Sequence, residues 1–192
     1  MPKLTLKSLP LLVILAAATA ATLIGTPSLG AQESPQVVEA KGLISCDAVR
    51  PGQIFKVAVL LKVQAGYHIN DNAPLDQFLI PTELSFGEDP GFEVVEILYP
   101  RGRRARFAYS EAELVVYEGE AVLGALIKAK EGVVAGTHAL KGSLSYQACN
   151  NESCLPPKGL PFEITVPVTT TGTCAPVHPE IFDKIRFKSV QK

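Results

Sequence analysis

Between Ile54 and Val63 the chain alternates, with Phe55, Val57, Val59, Leu61 and Val63 on one parity and Lys56 and Lys62 on the other. A period of two puts the five apolar side chains on one face of a strand and turns the lysines toward water. Residues 92–99, 113–117, 121–130, 138–148 and 161–168 are further short runs rich in β-branched and aromatic side chains, which suit a pleated, half-buried surface. Breakers stand between them: Pro51-Gly52, Asp89-Pro90-Gly91, Gly119 and Gly132. Many short strands punctuated in this way predict an all-β antiparallel sandwich. No amphipathic helix of useful length interrupts the pattern. Late in the chain, Ile181, Phe182, Ile185 and Phe187 predict a short helical turn or edge strand packed on the body.

The first 30 residues follow a different pattern. Lys3 and Lys7 precede an apolar stretch from Leu9 to Gly25, followed by the small and polar Thr26-Pro27-Ser28-Leu29-Gly30. This is the layout of a secretory signal, with a candidate cleavage point before Ala31. The apolar stretch is also near bilayer length, so an uncleaved membrane anchor is the alternative. No cysteine follows it to carry a lipid. Export, to the periplasm or another extracytoplasmic space, places the remaining chain where disulfides form. That chain reads as one domain over residues 31–168, large enough for its own core, followed by a tail over 169–192. With a formal net charge of −1 and no large basic block, the sequence gives no reason to expect nucleic acid as a partner. The single basic cluster, Arg101-Gly102-Arg103-Arg104-Ala105-Arg106, reads as a solvated loop.

Four cysteines supply the candidate chemistry. Cys149 and Cys154 flank Asn150-Asn151-Glu152-Ser153, all turn formers, which predicts a hairpin tip with a cysteine on each arm. Cross-strand partners hold their Cβ atoms roughly 4.5–5.5 Å apart, close to what a disulfide needs. Cys149 shares its parity with Ser143, Ser145 and Gln147, so alternation predicts that it faces outward. Pro156 and Pro157 withhold ladder donors and leave that end of the hairpin open. Spacing alone fits a structural staple as well as a redox switch. Four cysteines allow three pairings, and the one consistent with the hairpin joins Cys46 to Cys174 across a long loop, as a brace. Cys174 and His178 are a poor metal signal, since a structural zinc site uses four protein ligands. No metal and no other cofactor is expected.

The run Tyr146-Gln147-Ala148-Cys149, a polar turn, then Cys154-Leu155-Pro156-Pro157 resembles the active-site hairpin of the amino-terminal periplasmic domain of the thiol:disulfide interchange protein DsbD. The similarity extends through Pro51-Gly52-Gln53, Gly66-Tyr67-His68-Ile69-Asn70, Pro81-Thr82, Tyr99-Pro100 and Val116-Tyr117-Glu118-Gly119, over about residues 36–168. The resemblance implies an immunoglobulin-like sandwich with an active-site hairpin and a cap loop. It implies a Cys149–Cys154 dithiol/disulfide in which Cys154 bonds to the partner and Cys149 resolves. It places Tyr67 and His68 beside the cysteines, with His68 standing where an aromatic ring is expected. An imidazolium there would favour a thiolate, whereas a histidine bonding a loop carbonyl is the competing reading. The cap loop maps to residues 101–111, with Phe107 and then Tyr109 as the shielding ring. Glu111 and Glu113 are the candidate acidic neighbours for the cysteine proton.

The implied partners are a thioredoxin-like oxidoreductase, as donor or client, and a membrane electron conduit. Full-length members continue into a membrane-embedded region and a thioredoxin-like domain, so the conduit is expected on a separate chain. The Cys46–Cys174 pair and the one-residue-shorter cysteine spacing depart from the family pattern. Two other classes stay open. One is a non-catalytic immunoglobulin-like binding module with a structural hairpin disulfide. The other is an envelope metal or haem-maturation factor.

Overall fold

The computed structural model describes residues 35–187. The signal or anchor expected over residues 1–30 lies outside the described residues. Eleven strands and one helical turn are described. They are β1 (Val38–Ile44), β2 (Ile54–Val63), β3 (His68–Asn70), β4 (Glu83–Phe86), β5 (Phe92–Leu98) and β6 (Arg103–Ala105). β7 (Leu114–Tyr117), β8 (Glu120–Ala129), β9 (Gly136–Tyr146), β10 (Ala148–Cys149), β11 (Lys158–Val168) and α1 (Pro179–Phe182) follow.

All strand pairs are antiparallel. They form sheets ordered β1-β2-β8-β5, β11-β9-β4 and β10-β3-β7-β6. The alternation in β2 is realised: Phe55, Val57, Val59, Leu61 and Val63 are all buried. Register sets Val57 beside Ala125 and Val59 beside Leu123 on β8, so both strands present apolar side chains to the same side. Leu140 and Leu144 of β9 and Ile164 and Val166 of β11 join them from the second sheet. Ile69, Tyr117 and Ala148 join from the third. Each fully buried side chain of this size contributes roughly 1.5–3 kcal/mol relative to exposure. One core thus ties the three sheets into an all-β, immunoglobulin-like sandwich.

The first sheet is covered on its other face as well. Phe182, Ile185 and Phe187 pack with Ala58 and Leu126 in a second cluster. A Cβ at Gly124 would lie 2.8 Å from Phe187 Cζ and 2.9 Å from Ile185 Cγ2, so only glycine leaves room for the tail. Double-sided cover explains why β8 buries five consecutive residues rather than alternating.

Four strands lie outside the runs that the pattern predicted: β1, β3, β4 and β6. The polar interruption over residues 66–71 contains β3, and the basic loop contains β6. Arg103 pairs with Glu118, and Arg104 with Glu113 at 2.9 Å, so half of the basic cluster is an ion-paired edge strand. The run 138–148 is split at Gln147 into β9 and β10, which belong to different sheets.

Candidate functional site

The split at Gln147 builds the site. Tyr146 pairs with Lys158, the last step of the β9–β11 ladder. In continued register Gln147 would face Pro157, which has no N–H to give. The ladder stops there. Beyond it Cys149 pairs with Cys154, so three steps on one arm match four on the other and the register slips by one residue. Gln147 Nε2 donates to Leu155 O at 3.1 Å and secures the irregular step. Freed from β11, Ala148 and Cys149 pair instead with Ile69 and His68 of β3.

Parity holds at Cys149, which stays off the core face that Leu144, Tyr146 and Ala148 share. The open position expected of it is corrected: His68 pairs beside it and it is 2% exposed, whereas its partner Cys154 is exposed. The two are bonded, with Cα atoms 3.9 Å apart. Asn150 N–H donates to Ser153 O at 2.9 Å and Leu155 N–H to Ala148 O at 2.8 Å, one bond on each side of the pair. Cys149 and Cys154 thus occupy a non-hydrogen-bonded position, where opposing side chains come closest. Asn150 Oδ1 accepts the N–H groups of Glu152 and Ser153, both at 2.8 Å, and closes the turn. A thiol approaching from solvent meets Cys154 first.

On the other side of Cys149 stands His68, its register partner, 1% exposed. Phe107 stacks on the imidazole with centroids 3.7 Å apart and planes 15° from parallel. The Tyr109 hydroxyl is 2.7 Å from His68 Nε2, and its ring lies parallel to Phe107 at 5.7 Å. The β6–β7 ladder, from Arg103 opposite Val116 to Ala105 opposite Leu114, anchors the base of the loop that carries these rings. Ser110 N–H to Phe107 O at 3.1 Å folds its tip. Burial pushes the His68 pKa below its ordinary value of 6.5; nearby Glu118 opposes the shift and Arg103 adds to it. The shift favours the neutral imidazole, and the ring bonds a phenol rather than a loop carbonyl. Burial raises the Tyr109 pKa, so that phenol keeps its proton.

The remaining expected residues lie elsewhere. Tyr67 packs against the main core. Tyr146 is 2% exposed, with burial raising its pKa and its hydroxyl lacking a hydrogen-bond partner. Glu111 is exposed, and Glu113 is held by Arg104. Glu118, which the pattern did not single out, is the carboxylate whose charge reaches His68. Gly119, at φ 62°, carries the chain from β7 in the third sheet to β8 in the first and so fixes where Glu118 stands.

Cys46 and Cys174 form the other bridge, with Cα atoms 5.1 Å apart. Cys174 sulfur is thus engaged, and His178 Nδ1 lies 3.6 Å from a Glu180 carboxylate oxygen. Among the described residues no three His, Cys, Asp or Glu side chains cluster as metal ligands. Nor is any described helix long and apolar enough to cross a membrane.

Comparison with solved structures finds the N-terminal periplasmic domain of ScsB from Proteus mirabilis, at 13% identity and a TM-score of 0.45. The match covers 69% of this chain and 47% of that one, so this chain spans less than half of its length. The DsbD N-terminal domain of Neisseria meningitidis, solved in complex with the PilB N-terminal domain, matches at 18% identity and a TM-score of 0.40. Here the cover is 72% of this chain and 88% of that one. A PapD-like domain of human CEP192 matches at 14% identity and a TM-score of 0.34, over 80% of this chain and 98% of that one. No curated protein sequence matches. A family model described as thiol:disulfide interchange protein DsbD, N-terminal, matches residues 34–165, and the chain therefore belongs to the DsbD N-terminal domain family.

Proposed function

We propose that this domain is an exported thiol–disulfide exchange module that passes electrons to partner proteins through Cys149 and Cys154. The observation that carries the reading is the asymmetry of the bridge: one sulfur belongs to an exposed residue at the open, proline-bearing end, and the other to a buried residue paired with His68. A purely structural staple has no need of that arrangement.

A donor thiolate attacks Cys154 Sγ, the Cys149–Cys154 bond breaks, and Cys149 leaves with the electron pair. The donor's second thiol then attacks its own sulfur in the mixed disulfide and releases Cys154 as thiolate. Reduced Cys154 attacks the client disulfide, and Cys149 resolves that mixed disulfide by re-forming the bridge. Two electrons and two protons pass from donor dithiol to client disulfide. Thioredoxin-like proteins suit both roles, and a membrane electron conduit suits the supply of electrons to the donor side. The periplasm is the compartment in which such a carrier has partners.

Trapping tests the reading. Cys149→Ser leaves Cys154 without its resolving thiol, so an extract of envelope proteins is expected to yield a covalent adduct at Cys154 that a reductant releases. Absence of any adduct with this variant, when Cys154 alkylates readily, overturns the proposal.

A further inference from the structure

Exchange makes a demand that the bridge alone does not meet. Cys149 must lose a proton each time it attacks the mixed disulfide at Cys154, yet it is 2% exposed. A thiol buried in apolar surroundings ionises less readily than a free one, so attack at neutral pH needs a proton acceptor beneath the cap. Neither Glu111, exposed, nor Glu113, held by Arg104, is placed for this. Register supplies another group. Cys154 faces Cys149, Cys149 faces His68, and Ile69 faces Tyr117, which puts Glu118 next in the same row. Partners facing each other across such pairs project to one side of the sheet with Cβ atoms roughly 4.5–5.5 Å apart.

We propose that His68 takes the proton from Cys149 during resolution, with the Tyr109 hydroxyl linking it to solvent. The proposal rests on the exchange reading above. In the tautomer whose Nε2–H donates to Tyr109 Oη, His68 Nδ1 holds the free lone pair. The Cys149 proton passes to Nδ1, and the thiolate attacks Cys154 Sγ. The Cys149–Cys154 bond forms, the bond from Cys154 to the client breaks, and the client sulfur leaves with the electron pair. The imidazolium then gives its proton to water through the Tyr109 hydroxyl. Of the groups facing His68, Glu118 favours the imidazolium while burial and Arg103 oppose it. A thiolate on Cys149 adds to the favourable side for the duration of the step. Phe107 stacked on the ring keeps the imidazole in place and water away.

The test uses the reduced protein and an aromatic disulfide whose released thiolate absorbs visible light. Attack by Cys154 releases the first equivalent, and resolution by Cys149 releases the second. In His68→Asn the first phase is expected within about twofold of wild type, and the second slower by roughly tenfold at pH 7. That deficit should shrink as pH rises past the ordinary thiol pKa of about 8.5, because a growing fraction of Cys149 then ionises without a base. Equal slowing of both phases, or a deficit that does not change with pH, overturns the proposal, since a merely structural histidine gives either result. Tyr109→Phe leaves the imidazole in place and serves if His68→Asn does not fold. It should slow only the second phase and displace its pH profile, and a profile superimposable on wild type counts against the relay. Cys149→Ser must show the first phase alone. If wild type lacks even that phase, the exchange reading fails rather than the role of His68.

Discussion

His68 and Tyr109 stand 41 positions apart, and their 2.7 Å bond closes the lid of the site. Its energetics are those of a base kept neutral. Because burial lowers the folded-state pKa below 6.5, the unfolded chain binds more protons wherever His68 titrates. Stability then rises with pH, is fully present above about 6.5, and is lost as pH falls through the folded value. Urea midpoints for wild type should therefore drop between pH 7.5 and pH 5 by more than those of His68→Asn. Parallel curves for the two proteins over that range would remove the assignment. Of this cluster the sequence disclosed only the ingredients. Phe107, Tyr109 and His68 were legible as candidates through the family resemblance, but their stacking was not, because nothing local relates β3 to a loop so far along the chain. Cys149 shows a different limit: alternation is a local rule that placed it off the core face taken by Ala148, but it could not foresee that His68 of β3 would stand beside it and bury it.

At the level of elements, the hairpin stands on a turn that Asn150 closes with two side-chain bonds. Asn150→Ala strips the acceptor from both N–H groups. They are exposed and regain water, so the loss is about 1 kcal/mol rather than the full cost of an orphaned buried donor. Amide exchange at Glu152 and Ser153 should accelerate while amides of β9 and β11 stay protected, and unchanged exchange at the turn would show that the disulfide alone holds it. This turn was readable because its residues carry their reason in their own side chains. The long strands were readable for the same kind of reason: β2, β5, β8, β9 and β11 each have enough residues for a pattern to repeat. With three and four residues, β3, β4 and β6 do not. Their pairing comes from neighbours that other parts of the chain provide, and β3 and β6 are the strands that carry the cap.

Across the whole molecule the two bridges divide the work by loop length. Cys149–Cys154 closes a separation of 5 residues, and Cys46–Cys174 one of 128. In the chain-entropy account the first restrains the unfolded chain by about 2 kcal/mol and the second by about 5. The longer one also fastens residues that lead into α1, whose Phe182, with Ile185 and Phe187 beyond it, covers the outer face of β2 and β8. Breaking that bridge should not release the tail, because its apolar contacts persist without the covalent link. Cys46→Ser/Cys174→Ser is therefore expected to stay folded, with Gly124 still covered, and to unfold at a clearly lower denaturant concentration than Cys149→Ser/Cys154→Ser. Equilibrium unfolding of the two double variants, side by side with wild type, measures the order. A hairpin variant that loses as much as the long-loop variant would mean that the short bridge carries folding energy its loop cannot account for. A redox carrier that opened such a bridge at every turnover would spend much of each cycle near unfolding. In the proposed cycle, the expected order leaves the sandwich intact while the Cys149–Cys154 bond is open, which is the condition for reducing a client without losing the surface that receives it.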